Sequence, residues 1–297
     1  GKDFKPVGTV LEEEITRWQK LSESGQSITG VRSGFEDLDT ITGGFQPGNL
    51  IILAARPSMG KSALVTNIAE NVALDKRDPR PVALFSLEMS EGELAQRFVA
   101  SQASIKGDDL RKGKVKPELW KRVLNAAGDY DRSKLYIDDS SDISLLDIRA
   151  KARRLHQSFH ADGGLGLIII DYLQLMRADT RYDSRVQQVG EMSRGLKILA
   201  RELKVPVIAL SQLSRGVESR TDKRPMLSDL RESGQIEQDA DLVMFIYRDE
   251  YYNREESDDP GVSEIIIAKH RNGGLGDVRL SFQHEYPRFR SILRDAA

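Results

Sequence analysis

The stretch ARPSMGKSALVTN, which starts at Ala55 and ends at Asn67, sets a tight turn, a lysine and a hydroxyl in the order that phosphate binding requires. It follows the spacing G-x-x-x-x-G-K-[ST] except at the first position, where Ala55 stands for glycine. Pro57, Ser58, Met59, Gly60, Lys61, Ser62 and Ala63 make up the loop and the first helical turn after it. Successive backbone N–H groups at such a turn cradle an anion. Lys61 reaches the β- and γ-phosphates, and Ser62 offers its hydroxyl to Mg²⁺. The first position lies where the strand turns outward, so a small residue with negative φ is tolerated there. A chance Gly-Lys-Ser on an ordinary turn is the competing reading. A strand before the loop and an apolar-faced helix after it argue against that reading.

Three more residues complete a hydrolytic set. The apolar run LGLIII ends at Asp171, a carboxylate placed to hold Mg²⁺ through water. Tyr172 follows it instead of a second acid, so the water-activating base must come from elsewhere. Glu88, just past the strand PVALFS, is the candidate base. Gln212, at the end of VIALSQ, is placed to sense the γ-phosphate. Plainer readings exist for each: a strand-end acid, a helix-start glutamate, a turn amide.

The elements that must position these side chains are legible as alternating apolar strands and amphipathic helices. Strands are expected over Leu50–Ala55, Pro81–Ser86, Lys134–Asp138, Leu165–Ile170, Val205–Leu210 and Asp241–Tyr247. Helices are expected over KSALVTNIAENVAL, with Leu64, Ile68 and Val72 on one face, over SLLDIRAKARRLHQSF, capped by Ser144 or Asp142, and over VQQVGEMSRGLKILAREL. The pattern predicts an α/β fold with a mostly parallel sheet covered on both faces. The tail SEIIIAKHR-NGGLG-DVRLSFQ reads as an antiparallel hairpin at one edge. Residues 1–27 read as a helix and a Ser/Gly linker before one large domain, 28–297. Leu11, Ile15, Trp18 and Leu21 share one face of that helix, which packs either on its own domain or on a neighbouring subunit.

Composition narrows the classes. The net charge of −2 over 297 residues excludes a generally basic nucleic-acid coat, so any such contact must be local. With no cysteine, disulfides, thiolate metal sites and cysteine nucleophiles are excluded, which fits a reducing cytoplasm. No run approaches the ~18 apolar residues of a membrane span. His156 and His160 have a zinc-compatible spacing, but with only Asp162 as a further ligand they read as a surface pair. Met89 and Met192 read as core fillers, and Tyr251 or Tyr252 as a stacking partner for adenine.

With these pieces placed, the chain resembles the ATPase domain of DnaB-type replicative helicases, within the RecA-like group. ITGVRSGFEDLDTITGGFQPGNLIILAARPSMGKS is similar to the family's lead-in and phosphate loop, the alanine included. FSLEMS, IIIDYLQL, VPVIALSQLSR, DLRESGQIEQDADLVMFIYRDEYYN and IIIAKHRNGGLG are similar to its later motifs, in order. The resemblance implies a RecA-like core in a homo-hexameric ring that uses ATP and Mg²⁺ to translocate on single-stranded DNA and unwind duplex at a replication fork. It implies primase and a helicase loader as partners, and a cytoplasmic setting. It assigns Lys61 and Ser62 as the phosphate-loop pair, Glu88 as catalytic glutamate, Asp171 as Mg²⁺ aspartate and Gln212 as sensor. It places Arg97 near the phosphates and makes Arg271 the arginine finger inserted into a neighbour's site. Lys269 accompanies the finger, and His270 stands between them where glutamine or a similar residue is usual. Helix 1–27 is similar to the linker helix that packs on the adjacent subunit. The family carries an N-terminal helical domain upstream, which is absent from this sequence.

The expected DNA contacts lie in two stretches. RADTRYDSRVQQ carries Arg177, Arg181 and Arg185, and SRGVESRTDKRPMLSDLRESGQ carries Arg215, Arg220, Lys223, Arg224 and Arg231. Both follow strands that deliver their ends to the nucleotide edge. By resemblance Arg231, Glu232 and Gly234 grip the DNA backbone, with Arg215, Arg220 and Arg224 as further phosphate contacts. Few aromatics lie there, so little base stacking or sequence preference is expected. The competing functions are a recombinase filament and a nucleotide switch without turnover.

Overall fold

The computed structural model describes residues 3–25, 28–178, 184–230 and 234–292. The strands are β1 (Leu50–Ala55), β2 (Val82–Ser86), β3 (Leu135–Asp138), β4 (Leu167–Asp171), β5 (Val207–Gln212), β6 (Leu242–Tyr247), β7 (Val262–His270), β8 (Gly276–Gln283) and β9 (Arg288–Ser291). They form one sheet in the order β3-β2-β4-β5-β1-β6-β7-β8-β9. Every pairing from β3 to β6 is parallel, and β7, β8 and β9 continue antiparallel. The helices are α1 (Val7–Ser24), α2 (Glu36–Thr42), α3 (Lys61–Ala73), α4 (Glu91–Ala103), α5 (Gly107–Arg111), α6 (Trp120–Arg132), α7 (Leu145–Ser158), α8 (Arg185–Leu203), α9 (Gly234–Asp239) and α10 (Asp249–Asn253).

β1 shows why the parallel strands are apolar without alternation. Ile51, Leu53 and Ala55 face a core that includes Leu64, Ile68 and Val72 of α3. Leu50, Ile52 and Ala54 face a second core with Ile148 of α7 and Met192, Leu196 and Leu199 of α8. Successive side chains point to opposite faces, and both faces are covered, so all six residues are buried. Ser144 caps α7 in a reciprocal box with Asp147: the Asp147 N–H donates to Ser144 Oγ (3.2 Å), and the Ser144 N–H to the Asp147 carboxylate (3.0 Å). This selects Ser144 over Asp142. Met192 is buried, and Met89 packs half-buried against the first core.

The tail holds one strand more than the hairpin expected. β9 contains a single apolar residue, Phe289, so its composition gives no strand signal. It pairs antiparallel with β8, and a tertiary bond ties it to α3: the Phe289 N–H donates to the Asn67 side chain (2.7 Å). Helix α1 ends at Gly25 in the left-handed region and has no buried residue. Leu11, Ile15 and Trp18 are 44%, 45% and 50% exposed and Leu21 is half-buried, so most of this apolar face is left uncovered by the described residues. His156 accepts the Leu165 N–H through Nδ1 (3.0 Å), and partial burial lowers its pKa, so it acts as a neutral acceptor closing the turn before β4.

Glu70 of α3 is buried, and its Oε1 has no hydrogen-bond partner among the described residues. Burial raises its pKa to about 8, against the nearby Tyr130 hydroxyl and Arg288 guanidinium. The folded value lies above the unfolded one, so its contribution is complete below about pH 4.5 and is lost as pH rises towards 8. Glu70→Gln is therefore expected to flatten the fall in melting temperature between pH 5 and pH 8, as read by circular dichroism.

Candidate active site

The carboxyl ends of β1, β2, β4 and β5 open into a cleft of about 420 Å³. Its lining includes Arg56, Lys61, Ser62, Glu88, Arg97 and Gln212. Ala55 is the last residue of β1, buried and paired in register with Gln212. It is not among the residues with positive φ, so the missing first glycine costs the loop nothing sterically. Gly60, by contrast, has φ +91° as the cap of α3. A Cβ there would lie 2.9 Å from the Phe289 ring. Gly60→Ala is expected to destabilise the fold by about 1–3 kcal/mol and to abolish nucleotide binding, a loss readable by calorimetry.

Ser62 donates to Asp171 Oδ2 at 3.1 Å, joining the start of α3 to the end of β4. Asp171 Oδ1 is buried with no hydrogen-bond partner among the described residues. A hydroxyl beside a carboxylate with an open, desolvated oxygen is a hard-oxygen donor set, which fits a hydrated divalent cation of the magnesium type. Burial raises the Asp171 pKa, opposed chiefly by Lys61. The Lys61 ammonium lies 4.5 Å from the centroid of the Tyr172 ring. Burial pulls Lys61 and Arg97 below their ordinary values, although Asp171 and Glu88 oppose it in both cases. The cleft is thus a desolvated cationic pocket short of negative charge, which a polyphosphate supplies.

Glu88 lies exposed at the lip of the cleft, just past β2. Gln212 closes β5, where its N–H donates to Gln174 Oε1 (3.3 Å) and the Gln174 amide donates to Ser211 Oγ (2.9 Å). Gln174 is therefore a positioning residue that the sequence reading gave no role: it lies within the quoted stretch IIIDYLQL, but only the fold sets it against Ser211 and Gln212. The reading also missed Phe282, at the end of β8, and His284 and Pro287, in the β8–β9 connection, which line the cleft. Arg248 bridges this wall to the loop: its guanidinium lies 4.7 Å from the Phe282 ring centroid and donates to the Ser58 carbonyl (3.2 Å). Tyr251 and Tyr252 do not line the cleft; Tyr252 stacks on Tyr247 with centroids 5.9 Å apart.

Arg271 and Lys269 are not brought to this cleft. β7 runs antiparallel to β6 and ends opposite Leu242, so Arg271 lies beside Leu50 and Asp241 at the other end of β1. The six residues of β1 separate the two ends by about 17 Å. There Arg271 pairs with Asp241 (3.1 Å) and donates to the Gln238 carbonyl, while Lys269 donates to the Glu237 carbonyl. Asp241 also accepts from Lys197 (2.6 Å) and from the Leu50 N–H (2.8 Å).

The basic side chains after β5 divide into two groups. Arg215 is exposed on the turn Arg215–Ser219. Arg220 is held on Asp229 by both guanidinium arms (2.5 and 3.0 Å), and Arg224 pairs with Glu264 (2.6 Å) and Asp277 (3.1 Å). Arg220 thus meets an acid of its own segment, Asp229, whereas Arg224 meets acids of β7 and β8, and both pairs help to hold the segment on the sheet. Arg177 pairs with Asp142 and Asp147 (both 3.4 Å). Gly234 opens α9. Arg181, Arg231 and Glu232 lie outside the described residues.

Comparison with known proteins bears on the fold and the family. The family model "DnaB-like helicase C terminal domain" matches residues 30–291. The replicative DNA helicase DnaB of Geobacillus stearothermophilus is 50% identical over 292 residues, covering 98% of this chain. The chain spans 63% of that relative's length. Among solved structures, one described as an ATPase domain superposes with a TM-score of 0.90 at 41% identity, covering 98% of this chain and 100% of its own. A DnaB-like replicative helicase, described with its interactions with primase, superposes with a TM-score of 0.86 at 41% identity over 98% of this chain and 68% of its own. The fold is RecA-like, and with a family match that runs from before β1 to the last strand, the chain belongs to the DnaB-like helicase C-terminal domain family.

Proposed function

We propose that this chain is the motor domain of a ring helicase that hydrolyses ATP to move along single-stranded DNA and part the duplex ahead. The observation that carries this reading is the separation of Arg271 from the chain's own cleft by the length of β1. A guanidinium so placed does not reach its own chain's cleft, which supports a role at a neighbouring copy's site in a closed ring with nucleotide at its interfaces. Loop N–H groups and Lys61 hold the β- and γ-phosphates, and Arg97 adds charge beside them. Glu88 takes the proton of the attacking water, and Gln212 reads the presence of the γ-phosphate from the end of β5. Ser62 and Asp171 would hold the magnesium ion that neutralises charge across the phosphates. Arg248 and Phe282 offer the nucleotide base a cationic and aromatic wall.

The exposed apolar face of α1 suits a neighbouring copy, which supports the linker-helix reading of residues 1–27. DNA phosphates would meet Arg215 and the segment 231–234, with primase and a loader as partners of the full ring. The test is ATPase rate against protein concentration, with and without single-stranded DNA. A steep rise with concentration that DNA amplifies is expected. A rate per chain indifferent to both would return the reading to a self-contained nucleotide switch.

A further inference from the structure

The phosphate loop is tied directly to the segment that follows β5. Arg56, the residue after Ala55, donates through Nε to Glu218 Oε1 (3.1 Å) and through Nη1 to the Leu213 carbonyl (3.0 Å). Its side chain is only 16% exposed. Glu218 belongs to the turn Arg215–Ser219, and the same Oε1 accepts from the Tyr252 hydroxyl (3.0 Å). Lys223 closes the turn by donating to the carbonyls of Glu218 (2.9 Å) and Arg220 (2.8 Å). One guanidinium, carried by the nucleotide loop, thus holds a backbone carbonyl at the exit of β5 and a carboxylate three residues from Arg215. Glu218 is 40% exposed, so the pair is set by the fork geometry of the sheltered guanidinium and by its second bond to the Leu213 carbonyl.

We propose that Arg56 and Glu218 form a clamp that couples nucleotide occupancy of the phosphate loop to the DNA affinity of the 213–230 segment, with Arg56 as a positioning residue. This rests on the ATP-motor reading above. A displacement of the loop around a polyphosphate is passed to the turn bearing Arg215 because two bonds from one rigid fork join them. Linkage then requires that DNA alter nucleotide affinity by the same factor.

The test titrates a fluorescein-labelled oligo-dT with the full chain, with and without a non-hydrolysable ATP analogue and Mg²⁺. In the wild type the analogue is expected to change the oligo-dT Kd by about 5- to 150-fold. Glu218→Gln and Arg56→Gln should move this factor towards unity by about fivefold. The swap Arg56→Glu with Glu218→Arg should recover part of it. Tyr252→Phe, which keeps the ion pair, should stay near the wild-type factor. Coupling unchanged in both single variants would overturn the clamp. So would a wild type that binds both ligands independently, and that result would leave the ATPase reading standing. Single variants that lose both ligands together with melting temperature, and a swap that recovers nothing, would assign the pair a purely structural role and also overturn it. A wild type that binds no analogue would sink the motor reading and the clamp together.

Discussion

Arg271→Ala is expected to lower kcat for ATP by roughly 10³ to 10⁵, the range an arginine finger contributes, with little change in nucleotide affinity. The fold should survive, because Asp241 keeps Lys197 and the Leu50 N–H when Arg271 is removed. Arg271→Lys should not rescue, since an ammonium lacks the planar fork. The decisive measurement is a mixture. Lys61→Ala is inactive because its own loop is broken, and Arg271→Ala because it fails its neighbour. Mixed in equal amounts, they should regain about a quarter of the wild-type rate, since some interfaces pair an intact Lys61 with an intact Arg271. A mixture as inactive as its components would mean that Arg271 does not act across an interface.

Glu88→Gln is expected to reduce kcat by about 10²- to 10⁴-fold, the contribution of a positioned general base. Binding of an ATP analogue should change by less than about threefold, because the loop, Lys61 and the Ser62–Asp171 pair are untouched. The amide keeps the size of the carboxylate but cannot take a proton. Glu88 is exposed at the cleft lip, so the substitution leaves no buried group unpaired and the melting temperature should hold. Single-turnover hydrolysis with saturating ATP reads the effect without interference from binding. A KM effect with kcat preserved would make Glu88 a binding residue and not the base.

The two variants separate two halves of one site. Glu88 is reached by following a strand to its carboxyl end, a rule that needs only the order of elements. Arg271 requires the opposite information, namely that β7 runs back along β6 and delivers its end far from the cleft.

Local sequence determined the parts whose cause is local. The phosphate loop is legible because backbone geometry and charge act over a few consecutive residues. The parallel strands are legible because burial on both faces demands unbroken apolar runs such as Leu50–Ala55. Ser144 and the tail hairpin follow from capping and turn chemistry that span a few residues. The sheet's long-range contacts decided the rest. β9 pairs with β8, and Asn67 of α3, 222 residues away in the chain, accepts the Phe289 N–H and ties the strand to the core. Arg220 and Arg224 lie in a stretch of mixed charge whose pairings the sequence leaves open, and only folding brought Glu264 and Asp277 within reach of Arg224 and wrapped the segment to place Asp229 on Arg220. Phe282 reached the cleft because β8 and β9 extend the antiparallel edge past the loop. Side-chain type announces what a residue can do; which partner it meets is set by strand order and register, and those emerge only when distant apolar runs are packed into one sheet.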